Sequence, residues 1–219
     1  MRCGGGNHLQ GPLIGVLASE NNLELTLSDS GGQIVGIMRP LTSRSLKQDD
    51  VIQKLTQWRN ANMHNFLTRF EATPERTRNW IKKTLLANGN QMLWLIYDQH
   101  EALIGHFGFK NLTSQSVLLD NAIRGERRGH PKLLVFAGRS LVKWLFQTTS
   151  VQRIDGYVMA DNVPAIMMNR EIGFHKWNRR SLTSKTVYGE THWMLEEEKQ
   201  KDNFGLHCFV ISIERTAAP

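Results

Sequence analysis

Cysteine is scarce in this chain, with only Cys3 and Cys208 in 219 residues. Two thiols so far apart exclude a disulfide framework and a thiolate metal site. The eight histidines form no His-x-x-x-His pair with carboxylate support, so no metal centre is expected. Long apolar runs are missing too. The longest, such as residues 92–97, are far too short to cross a bilayer, and no membrane association is expected. Residues 1–7 are glycine-rich and lack the apolar core of a secretory signal. No Gly-x-Ser-x-Gly elbow of a serine hydrolase occurs. The expectation is a soluble protein of a reducing compartment, the cytoplasm.

What is present suits one globular domain. The chain is 40% hydrophobic and 21% charged, enough apolar material for a real core. Lys and Arg number 27 against 20 Asp and Glu, leaving a net charge of +7. That balance favours an anionic partner. Residues 1–32 differ from the rest. They begin with Gly4-Gly5-Gly6, carry the alternating run Leu23-Glu24-Leu25-Thr26-Leu27 and close with Gly31-Gly32. They read as an N-terminal extension, a flexible start followed by one hairpin, ahead of a domain spanning 33–219.

That domain alternates element types. Strands are expected at 34–41, 92–97, 103–109, 116–123, 154–159, 174–182, 187–195 and 207–214. Helices are expected at 49–59, from Thr73-Pro74-Glu75 to about Leu86, at 131–146 and at 164–172. The second opens with a capping hydroxyl, a proline at its first position and an acid near the positive dipole end. The third shows Leu134, Val135, Ala137, Leu141, Val142 and Leu145 at helical spacing. A strand meander followed by strand-helix-strand units implies an α/β (α+β) fold. Its sheet is mixed and mostly antiparallel, with helices on both faces. The strand at 207–214 is a candidate for pairing across a homodimer.

The most informative stretch is Ile123-Arg124-Gly125-Glu126-Arg127-Arg128-Gly129-His130-Pro131-Lys132. It follows a strand and opens a helix. Glycines let backbone amides approach a ligand, and a helix start offers unpaired N–H donors. The loop suits a pyrophosphate; an exposed basic turn is the plainer alternative. Some thirty residues later Asp161-Asn162-Val163-Pro164-Ala165 leads to Ile172-Gly173-Phe174. Asn162 also suits helix capping, Gly173 a left-handed helix end and Phe174 the core.

Together the two segments resemble the acetyl-CoA-binding region of the GCN5-related N-acetyltransferase (GNAT) superfamily. That family shows Gln/Arg-x-x-Gly-x-Gly/Ala in the loop, then Asn-x-x-Ala and a Gly-Phe ending. Gly129 fits the central glycine. Glu126 stands where Gln or Arg is usual and Pro131 where Gly or Ala is usual, and Pro131 lacks a backbone donor. Arg39-Pro40-Leu41, Trp58-Arg59-Asn60 and Thr73-Pro74-Glu75 with Trp80 resemble the branch of ribosomal-protein N-terminal and nucleotide-amino-sugar acetyltransferases.

The resemblance implies transfer of an acetyl group from acetyl-CoA to a primary amine by direct attack. The acceptor is a small molecule or a peptide. A nucleotide-linked amino sugar comes first, with a peptide N-terminus or an aminoglycoside behind it. It implies cofactor contacts from Asn121 and Ile123 on the strand, from Arg127, Arg128, Gly129, His130 and Lys132 in the loop, and from Asn162 and Asn169. Asn169 stands where many members place a Tyr that protonates the departing thiolate, and an amide cannot act as that acid. Candidate bases are Asp120 first and His106 second, with Glu126 and His192 behind. Arg59, Asn60 and His192 are candidates for the acceptor wall. Two further readings stay open: a domain that binds acyl-CoA without transferring it, and a nucleic-acid-binding domain. The second is disfavoured because the basic residues are spread along the chain and CoA phosphates account for the loop.

Overall fold

The computed structural model describes residues 23–196 and 205–215. The expected flexible start, with Cys3 and the Gly4–Gly6 run, lies outside these residues. Among them are ten strands and four α-helices. The strands are β1 (Leu25–Ser28), β2 (Ile34–Pro40), β3 (Thr68–Arg69), β4 (Met92–Asp98), β5 (Leu103–Lys110), β6 (Ser116–Arg124), β7 (Arg153–Met159), β8 (Lys176–Val187), β9 (Glu190–Leu195) and β10 (His207–Glu214). The helices are α1 (Asp49–Ala61), α2 (Pro74–Trp80), α3 (Leu133–Thr148) and α4 (Val163–Ile172). The order across the sheet is β1-β2-β4-β5-β6-β7-β10-β8-β9-β3, and every pairing is antiparallel except β6 with β7.

Alternation on the central strands explains why both sheet faces are covered. On β4, Met92, Trp94 and Ile96 enter the layer packed under α3, with Phe107, Leu133, Leu141 and Trp144. Leu93 and Leu95 point the other way, to Ile52, Leu55 and Trp58 of α1 and to Ile81 and Leu85 beyond α2. Each of these fully buried side chains contributes about 1.5–3 kcal/mol. Two apolar faces therefore dictate a helix layer on each side. The Thr73 hydroxyl caps α2 by accepting from the Arg76 N–H at 3.1 Å. The helix continues past Trp80 as a π-helical turn to Leu85.

Three expectations change. β1 pairs with β2 across the turn at 29–33, so the strand at 25–28, read as part of the N-terminal extension, joins the main sheet. β10 lies inside the sheet with β7 on one side and β8 on the other. Both its edges are used within the chain, so it cannot pair across a dimer. The short strand β3, which pairs with β9, was not anticipated because two residues carry no periodicity.

Candidate active site

Two irregularities in the sheet build the site. β6 and β7 pair in parallel only from Ser116–Arg153 to Leu119–Gly156. Beyond that point β6 stays bonded to β5 and β7 to β10, while the edges facing each other are unpaired. The sheet opens there, and the free backbone groups on both edges can receive an extended amide-bearing ligand. The second irregularity is a bulge. Gly108 pairs with Asp120 and His106 with Ile123, so β6 spends one residue more than β5 over that step. Asn121 takes the left-handed conformation, at φ 54°. The extra residue reverses the alternation, so Leu119 packs under α3 while Ile123 packs against α1.

A cleft of about 1060 Å³ runs through this opening. Arg59, His106, Asp120, Asn121, Ile123, Lys132, Asn162 and Asn169 line it. Asn60, Arg127, Arg128, Gly129, His130 and His192 do not. Asn60 is a structural clamp: its amide donates to the Ala72 carbonyl at 2.9 Å and accepts from the Ala72 N–H at 2.8 Å. His192 sits on β9, its Nε2 3.7 Å from Glu190. Arg128 donates from Nε to Asp98 at 2.9 Å.

Asp98 is 2% exposed. Burial opposes its ionisation. The N–H groups of Ala102 and His100, together with the Arg128 guanidinium, outweigh that and hold the carboxyl below its usual range.

The loop between β6 and α3 is organised by a residue that the sequence motifs leave out of the site. The Arg124 guanidinium donates to the carbonyls of Glu126, Arg127, Arg128, His130 and Pro131, at 2.8 to 3.4 Å. A trans peptide points its N–H opposite to its C=O. Carbonyls gathered on Arg124 therefore turn the N–H groups of Arg127, Arg128 and Gly129 away from it. None of these three N–H groups has a partner among the described residues. Gly129, at φ 75°, supplies the left-handed step that such a nest of amides needs. Pro131 contributes no donor, and the Lys132 N–H is taken by His130 Nδ1 at 3.1 Å. The glycine at 125 has a different cause. A Cβ there would lie 1.9 Å from the Trp58 ring, so the indole of α1 packs directly on the loop backbone. Three outward amides, basic side chains on either side and an unpaired strand edge fit the pyrophosphate and amide arm of a coenzyme A.

Residues of α1 and α2 form another wall of the cleft. His106 is 5% exposed, its ring centroid 6.2 Å from that of Trp58. Its Nδ1 lies 2.7 Å from the Asn121 carbonyl. A carbonyl only accepts, so Nδ1 carries the proton. Burial pushes the imidazole down to about 4, against a smaller opposing effect of that hydrogen bond. It is neutral at pH 7 and a weak base. Asp120 meets the Lys110 ammonium at 2.6 Å and the Asn121 amide at 3.3 Å, both through Oδ2. The spacing that pointed to Asn162 finds its side chain capping α4, accepting from the Ala165 N–H at 3.2 Å. Asn169 is buried and donates to the Ala165 carbonyl at 2.8 Å. Phe66, Phe70, Arg76 and Tyr157 also line the cleft. Phe66, Phe70 and Tyr157 come from segments without a motif, and Arg76, although it follows Thr73-Pro74-Glu75, is not singled out by that helix-start signal.

The acetyltransferase (GNAT) domain family matches residues 38–175, and the chain belongs to that family. It is therefore an acyltransferase by family, and members use acetyl-CoA as the acyl donor. Solved structures share its fold. Spermidine N-acetyltransferase from Vibrio cholerae, in complex with CoA and spermine, is 14% identical over 81% of this chain and 94% of its own, with a TM-score of 0.58. FdhC, a nucleotide-linked sugar GNAT, is 12% identical over 88% and 91%, with a TM-score of 0.57. The acetyl transferase from Salmonella typhimurium that modifies the N-terminal serine of ribosomal protein L7/L12 is 10% identical over 84% and 97%, with a TM-score of 0.55. No curated protein sequence matches the chain. No helix among the described residues is long and apolar enough to cross a membrane.

Proposed function

We propose that this protein acetylates a primary amine, that of a nucleotide-linked amino sugar before a peptide N-terminus or an aminoglycoside. The observation that carries the reading is the parting of β6 from β7. It opens one cleft lined by Asp120 and Arg59 together with Arg124, Pro131 and Lys132, the residues that bracket the amide nest at 127–129. Bound acetyl-CoA supplies the acetyl group as an activated thioester. The outward N–H groups of Arg127, Arg128 and Gly129 would hold its pyrophosphate, and the free edge of β6 at Asn121 to Ile123 its amide arm. Lys132 would add charge at the same end, released from Glu171, which it now meets at 2.7 Å. Asn162 and Asn169 would flank the opening from α4.

Asp120 Oδ1 has no hydrogen-bond partner among the described residues, which leaves it to receive a proton from the acceptor amine. His106 acts as a positioning residue: it holds the bulge that brings Ile123 onto the same face as Asp120. With an amide at position 169, solvent is the source of the thiolate proton. The acceptor preference is supported by the cations Arg59, Arg76 and Lys83 on the cleft wall and by the fold shared with FdhC. Such an enzyme would work in the cytoplasm, where acetyl-CoA is available.

The test is calorimetric titration with acetyl-CoA, then an acetyl-transfer screen over nucleotide-linked amino sugars, peptides and aminoglycosides. Saturable binding with transfer to an amino sugar is the expected result. Binding without transfer to any amine would reduce the protein to an acyl-CoA carrier.

A further inference from the structure

Arg59 lines the acceptor half of the cleft and is held there with one of its donors unpaired. Its guanidinium carbon lies 3.7 Å from the centroid of Phe66 and 4.8 Å from that of Phe70. Arg76 covers Phe70 in turn at 3.5 Å. Rings on the faces of a guanidinium fix its plane without using its N–H groups, which lie in that plane. One edge is committed: Nη2 donates to the Thr68 carbonyl at 2.6 Å. Nη1 is shielded from solvent and has no partner among the described residues.

The neighbouring carboxylates are already engaged. Asp120 faces Arg59 but is paired with Lys110 at 2.6 Å, and Glu190 is paired with Arg76 at 2.6 Å. Among the described residues Arg59 has no ion-pair partner of its own. Burial, opposed by Asp120 and aided by Arg76, lowers its guanidinium to about 10. A shielded cation with an empty donor and no direct ion pair is costly to keep unless something arrives to satisfy it.

We infer that Arg59 is the anchor for an oxyanion on the acceptor, a carboxylate or a phosphate that accepts from Nη1 while the amine of the same molecule lies toward Asp120. The inference rests on the acetyltransferase reading of the cleft and narrows it to amines that carry an anionic group. Phe66 and Phe70 give that acceptor an apolar flank, and Arg76 extends the positive wall.

The experiment uses the full chain saturated with CoA, which occupies the phosphate-binding loop first. Inorganic phosphate, acetate and glucosamine 6-phosphate are titrated in turn while the Arg59 side-chain N–H resonances are followed by NMR. Saturable shifts of the Arg59 signals are expected. Phosphate alone, or acetate as well, identifies which oxyanion the site takes. Arg59→Lys keeps the charge but loses the planar fork, and should bind phosphate at least about tenfold more weakly. Its thermal melt checks that it folds. Arg59 signals unmoved by all three probes would overturn the inference, as would an Arg59→Lys variant of unchanged affinity. Failure of CoA to bind would instead remove the acetyltransferase reading, and the Arg59 titration would still decide whether the guanidinium binds an oxyanion.

Discussion

The Nδ1 atom of His106 lies 2.7 Å from the carbonyl oxygen of Asn121, and this contact ties β5 to the bulge of β6. The bond forms only while Nδ1 carries a proton, and the second nitrogen stays unprotonated in a buried setting. Proton binding is therefore resisted in the folded state.

The consequence is a pH-dependent stability. The imidazole binds a proton near 6.5 when unfolded and near 4 when folded. Between those values the unfolded chain holds the extra proton, so stability falls as pH drops through the window and is level above it. The loss should be on the order of 3 kcal/mol. Urea midpoints at pH 7 and pH 4.5 measure it, and His106→Gln should flatten the difference. Equal slopes in the two proteins would mean that other groups carry the acid sensitivity.

Asp120 is assigned the amine proton. Asp120→Asn should lower turnover by about a hundredfold or more. Acetyl-CoA affinity should hardly change, because the proposed cofactor contacts lie on other residues. A variant as active as the parent across the pH range would remove Asp120 as the base.

Arg124 and Arg128 should separate cleanly. Arg124→Ala removes the donor that gathers five carbonyls, so the outward amides lose their orientation and CoA binding should weaken about tenfold or more. Arg128→Ala leaves the loop amides in place and withdraws one partner from Asp98, which keeps two N–H donors. It should cost about 1 kcal/mol of stability and leave CoA affinity near that of the parent. Calorimetry and urea unfolding on both variants read the two effects apart. The reverse ranking of CoA affinities would contradict the nest.

Gly125→Ala drives a methyl group into the Trp58 indole. The helix and the loop must move apart, at a cost of about 1–3 kcal/mol. Because that contact joins α1 to the loop proposed to hold the pyrophosphate, CoA affinity should fall together with melting temperature. A variant that melts like the parent would show that the indole can swing away.

Some of the site is legible in the sequence. Gly129 in a basic loop ahead of a helix, Asn162 before Ala165, and the Gly173-Phe174 ending are local signals, because capping and left-handed turns are decided within a few residues. Thr73 announces its helix for the same reason. Arg128, by contrast, looks like a phosphate ligand from its place in the loop and is turned aside by Asp98, thirty positions earlier. Asn60 looks like a cleft residue and is spent on Ala72. Neither partner is visible from local spacing.

The sequence by itself determined the alternation that covers both faces of the sheet, most of the strands and all four helices, because burial periodicity and end signals are properties of short segments. Tertiary structure alone decided three things. It placed the last strand, β10, between β7 and β8. It parted β6 from β7 to make the cleft. It set Arg59 between Phe66 and Phe70 with one donor left over. Each depends on which distant segments meet, and long-range packing, with its competition among hydrogen-bond partners, is written in no single stretch of the chain.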